Sequence, residues 1–160
     1  MTLAEAREAY ANCIANKREW EGLVEYEELN KKLKNIKKID KEIQAINYEI
    51  QYLKEGLFRK SSFTNTKVTE SRTKEMADKY NSLLERKEKL LSRIDTLMTE
   101  RDRLISLIDD NLDDPEQRAV LKMFFCSDKN FYEIQDFFGV AERTLFRLKR
   151  KALQELAKQL

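Results

Sequence analysis

The chain has no histidine, one proline, three glycines and two cysteines among its 160 residues. Without histidine the commonest general base and the commonest zinc ligand are missing, and so is every Ser/His or Cys/His nucleophile pair. A glycine-rich phosphate loop is absent as well. Cys13 and Cys126 stand far apart with no neighbouring ligand pattern, so no disulfide framework and no metal site is expected, and both are read as small buried hydrophobes. Nor does the sequence call for a cofactor or for catalysis. Apolar runs fall well short of the roughly 20 residues that a membrane span requires. The first residues, MTLAEAREAY, lack the basic start and apolar stretch of a signal peptide. The expectation is a soluble, cytoplasmic protein that meets no membrane.

Charge of one sign is lacking too: 31 basic and 29 acidic residues leave a formal +2. Bulk charge therefore says little about partners, and only local clustering is informative. What the chain does have is charge in quantity, 38% of all residues, interleaved along stretches of helical periodicity. Such a composition, with so little glycine and proline, points to an all-α protein.

Thr2 and Glu5 have the spacing of a capping box, and Leu3, Ala6, Tyr10, Cys13 and Trp20 follow at helical intervals. Gly22 either ends this helix or lies within a longer one. From Leu29 onward, Leu29, Ile36, Ile43, Ile50 and Leu57 repeat every seven residues, with Ile39, Ile46 and Leu53 between them. A second seam runs through Tyr80, Leu83, Leu90, Ile94, Leu97, Leu104 and Ile108, with Lys87 and Arg101 at seam positions where polar residues fix register. At about 1.5 Å per residue each seam spans about 50 Å, the match that two arms of an antiparallel hairpin need. The arms are expected at about 24–57 and 73–112, joined by a loop over 58–72 that reads FRKSSFTNTKVTESR.

The second arm carries more than one partner helix can cover, because Leu84, Leu91, Met98, Ile105 and Leu112 form a further column. Either the N-terminal helix packs there as a third strand or two hairpins pair, and a homodimer is the expectation. Ile36, Ile43, Ile50, Leu83, Leu90, Leu97, Leu91 and Met98 are the candidate oligomerisation residues. Lys31, Lys32, Lys34, Lys37, Lys38 and Lys41 form a run that suits the solvated side of a helix, although it also has the charge to track phosphates.

A second domain is expected over 113–160, after an N-terminal region of 1–112. Asp114, Pro115 and Gln117 supply a cap, an N1 proline and an N3 side chain. The helix that follows should bury Val120, Leu121, Met123 and Phe125. Asn130 and Glu133 then open a short helix with Ile134, Phe137 and Phe138 inward, and Gly139 with Val140 makes a tight turn. From Glu142 a third helix carries Leu145, Leu148, Ala152 and Leu156 on one face. Its opposite face presents Arg143, Arg147, Arg150, Gln154 and Lys158, with Lys151 alongside. Three short helices with arginines in the first two turns of the third form a helix-turn-helix reader of double-stranded DNA.

The segment NFYEIQDFFGVAERTLFRLKRKAL resembles the fourth region of bacterial sigma factors. With the heptad arms and the DDPEQRAVL junction, the whole chain is similar to phage and prophage late transcriptional regulators of the RinA and ArpU type. The resemblance implies that Glu142–Lys151 is a recognition helix, with Arg143 and Arg147 reading guanine edges and Arg150 and Lys151 nearer phosphates. Glu142, Thr144 and Phe146 complete the candidate DNA-contacting set. Three positions depart from the family pattern: Ala141 where a serine cap is usual, Asp128 where glycine is usual, and Phe124 where arginine is frequent. The functional expectation is a sequence-specific, homodimeric regulator that acts through bacterial RNA polymerase. The alternatives are a DNA-packaging recognition subunit similar to small terminases, and a helical scaffold that binds polymerase without reading DNA.

Overall fold

The computed structural model describes residues 2–61 and 70–160, and within them the side chains of all but residues 17–24, 57–61 and 70–73. Among these residues the protein is all-α, with five helices: α1 (Leu3–Ser61), α2 (Glu70–Asn111), α3 (Pro115–Phe125), α4 (Phe131–Phe138) and α5 (Glu142–Gln159).

The capping box at the start of α1 forms as its spacing requires. Thr2 N–H donates to Glu5 Oε2 at 2.6 Å, and Glu5 N–H donates to Thr2 Oγ1 at 3.4 Å. Gly22 does not end the helix, and neither does Gly56. A glycine inside a helix costs about 1 kcal/mol, which a chain already propagating helix on both sides absorbs. The same cooperativity corrects the expected loop: residues 58–61 belong to α1 and 70–72 to α2. The remainder of that loop, 62–69, and with it Phe63 and Lys67, lies outside the described residues.

The chain forms two compact units, one of residues 38–102 and the other of residues 1–37 with 103–160. The sequence places a division at residue 113, whereas α1 and α2 each run through both units without a break. In the unit of residues 38–102, α1 and α2 lie antiparallel. Arg86 pairs with Glu49 at 2.8 Å, Arg93 with Glu42 at 2.9 Å and Arg101 with Asp40 at 2.6 Å, so the partner number falls as the arginine number rises. Arg101 thus fills its seam position as half of an ion pair, although its Nε is not aligned on the carboxylate as a hydrogen bond. Ile39, Ile46, Ile50, Leu90, Ile94 and Leu97 are buried, each contributing about 1.5–3 kcal/mol by leaving water.

The other unit holds α3, α4 and α5 together with the flanking stretches of α1 and α2. Its buried side chains include Leu29, Leu33 and Ile36 from α1, Leu104 and Ile108 from α2, and Val120, Leu121, Ile134, Leu145, Leu153 and Leu156 from the short helices. Lys122 of α3 pairs with Asp109 of α2 at 2.6 Å, and Arg118 donates to the Leu112 carbonyl at 3.2 Å. Residues 25–32 of α1 and the end of α5 share a surface cleft, lined by Glu25, Glu28, Leu29, Lys32, Ala157 and Leu160. Residues 2–16 are exposed throughout, which places Cys13 at the surface, contrary to the buried position expected for it. Trp20's side chain lies outside the described residues.

Candidate nucleic-acid interface

The first two of the three C-terminal helices are set by their own terminal chemistry. Asp114 adopts the extended conformation of an N-cap (φ −74°, ψ 115°) and accepts from Glu116 N–H at 2.9 Å, with Pro115 at N1. At α4 the capping box is complete: Glu133 N–H donates to Asn130 Oδ1 at 3.0 Å, and Asn130 N–H donates to Glu133 Oε2 at 2.8 Å. The second of these bonds holds the Glu133 carboxyl below its ordinary range, with nearby Lys129 adding to the effect. Gly139 ends α4 in the left-handed region (φ 62°, ψ 32°), and its N–H donates to the carbonyls of Gln135 and Asp136. That conformation is open to glycine without strain and turns the chain from α4 into α5.

The helix after this turn is amphipathic in the expected sense. Leu145, Ala152 and Leu156 are fully buried and Leu148 is half-buried. Leu153, which the sequence reading did not assign to this face, is fully buried as well. On the other side, Glu142, Arg143, Arg147, Arg150 and Lys151 are exposed. Six basic residues stand against two acidic ones from Glu142 to Leu160. One of those acids, Glu155, is engaged with Lys158 at 3.0 Å, and Arg143, Arg147, Arg150 and Lys151 have no ion-pair partner among the described residues. Four cations thus lie on one helix face with their hydrogen-bond donors open to a ligand.

Two members of the candidate set sit at the margins of this face. Thr144 is half-buried. Phe146 stacks on Phe131 of α4 with ring centres 5.0 Å apart and planes 18° from parallel, yet keeps 49% of its surface exposed. Phe124 lies 6.5 Å from Phe131 and is part of an aromatic cluster. Phe137 was expected to point inward but is 66% exposed, whereas Ile134 is buried and Phe131, Gln135 and Phe138 are half-buried.

Sequence reasoning missed Lys149. Its ammonium lies 4.4 Å from the Phe124 ring centre and 5.1 Å from that of Phe125. Burial pushes its pKa down, and repulsion from Lys34 and Lys37 of α1 pushes it further. The signal was present in the helical wheel, where Lys149 falls between Leu156 and Leu153 rather than with the arginines. What the wheel does not contain is α1, whose lysines complete the cluster. The cap of α5 is likewise settled: Ala141 is extended (φ −68°, ψ 152°) and makes no side-chain cap bond.

The candidate oligomerisation residues divide into two groups. Ile36, Ile50, Leu90 and Leu97 are buried within the single chain and Ile43 and Leu83 half-buried, whereas Leu91 and Met98 are 45% and 49% exposed. Among the described residues no group of three or more Asp, Glu or Cys is arranged to hold a metal ion, and no helix is long and apolar enough to cross a membrane.

Neither the curated proteins nor the solved structures yield a match to this chain. A family match covers residues 57–157, taking in all of α2, α3 and α4 and the exposed basic face of α5. On that match the chain belongs to the family described as protein of unknown function (DUF1492).

Proposed function

We propose that this protein is a homodimeric, sequence-specific regulator that binds double-stranded DNA through α5. The observation that carries the reading is the exposed face of Arg143, Arg147, Arg150 and Lys151, none of them ion-paired among the described residues. The face begins directly after a left-handed glycine turn between two helices, the arrangement that offers a helix's first turns to a major groove. Arg143 and Arg147 read guanine O6 and N7, while Arg150 and Lys151 neutralise phosphates. Without a side-chain cap, the first N–H groups of α5 are free to meet a phosphate as well. The polymerase partner and the late-gene promoter rest on the resemblance to RinA- and ArpU-type regulators.

Footprinting on DNA around the protein's own gene tests this reading. Arg143→Ala and Arg147→Ala should each weaken cognate binding by about 1–3 kcal/mol and relax sequence preference, whereas Lys151→Ala should weaken binding to all sequences alike. Footprints unchanged in both arginine variants would remove α5 as the reader. A protected site at a packaging start rather than a promoter would replace regulation with the terminase-like role.

A further inference from the structure

We propose that α2 pairs antiparallel with α2 of a second copy of this chain, about a two-fold axis that passes at Leu91. This deepens the homodimer of the proposed function by naming its interface. It is independent of DNA contact by α5, because every residue involved lies between Tyr80 and Asp102.

The surface is an unpartnered apolar stripe. Leu84, Leu91 and Met98 recur every seven residues. Leu91 and Met98 are 45% and 49% exposed, and Tyr80, in line with them one turn earlier, is 51% exposed. At 3.6 residues per turn the stripe lies about 100° around α2 from the seam of Leu90 and Leu97. Arg86 and Arg93, which pair with α1, lie on the far side of that seam. A left-handed helical bundle gives each helix two neighbours at about this angle, and α1 occupies one of them.

Charge on the stripe selects the occupant. In a two-fold antiparallel pair, positions equally far before and after the axis face each other, and each contact occurs twice. Leu84 and Met98 stand seven residues either side of Leu91, so leucine meets methionine. Lys87 and Asp95 stand four residues either side, so a cation meets an anion at both symmetry-related places. Tyr80 and Asp102 stand eleven either side, which sets a phenol donor against a carboxylate. Among the described residues neither Lys87 nor Asp95 has an ion-pair partner. A parallel pair would instead put Lys87 against Lys87 and Asp95 against Asp95, a like-charge arrangement that such seams reject. The stripe is thus complementary to itself in one orientation only.

The test is sedimentation of the full chain, wild type beside K87E, D95K and K87E/D95K. Wild type should be a dimer. Each single reversal should raise the dissociation constant about tenfold or more, because two attractions become two repulsions, and the double reversal should return it to near the wild-type value. Circular dichroism should report unchanged helix content in all four proteins. In a Cys13→Ser/Cys126→Ser background, L91C should form a disulfide-linked dimer while L84C and M98C alone should not. A monomeric wild type, failure of the double reversal to recover, or self-linking of L84C and M98C would each overturn the pairing.

Discussion

Ala141 is the one N-cap in the C-terminal three-helix region without a side-chain acceptor, and its backbone already has the extended geometry that a capping residue adopts. Ala141→Ser should therefore stabilise the protein by about 1 kcal/mol, read as a raised midpoint in urea unfolding at unchanged slope. No gain would mean that another group already meets the first N–H groups of α5. Which side chains of α5 face outward was legible in the sequence, since Arg143, Arg147, Arg150 and Lys151 follow from helical spacing alone and are exposed. Phe146 and Lys149 were not. Stacking on Phe131 and enclosure by Phe124, Phe125 and the α1 lysines depend on residues brought close by folding.

Among the elements, α4 is the shortest and leans most on its ends: it buries Ile134 and is held by a capping box and a left-handed glycine. The Glu133 carboxyl titrates below its ordinary value in the folded protein, chiefly because it accepts from Asn130 N–H. A group with a depressed folded pKa contributes stability that is fully present above its unfolded pKa and is lost as pH falls through the folded one. Glu133→Gln keeps an acceptor for that N–H but no charge, so it should lower the neutral midpoint, converge with wild type in acid and thereby flatten the acid side of the thermal stability profile. An acid limb identical to wild type would assign the loss to other carboxylates. The sequence placed every short helix correctly because caps, a proline and a glycine mark their ends. The long helices had no such punctuation between 58 and 72, and there the expected loop proved partly helical.

For the molecule as a whole, the grouping of residues 1–37 with 103–160 means that the three short helices do not stand by themselves. Asp109 meets Lys122, Lys34 and Lys37 lie near Lys149, and residues 25–32 flank the end of α5. A fragment of residues 113–160 should accordingly unfold at lower temperature than the same helices in the full chain, as followed by circular dichroism. Equal midpoints would show that α1 and α2 add nothing to their stability. Both long helices cross from one unit to the other, and a periodicity read along one helix carries no record of which stretch of it packs beside which.

Helix type, helix ends and the two sides of α5 followed from spacing and terminal chemistry, because these are settled by neighbours within a few residues. The heptads likewise identified the apolar columns of α1 and α2. Tertiary packing alone decided which columns the chain uses itself: Leu90 and Leu97 close against α1, while Leu91 and Met98 are left at the surface. Packing also turned α1's carboxylates toward the arginines of α2 and drew Lys149 toward Lys34 and Lys37. Burial and charge neutralisation depend on distances between residues far apart in the chain, and those distances exist only once the helices have packed.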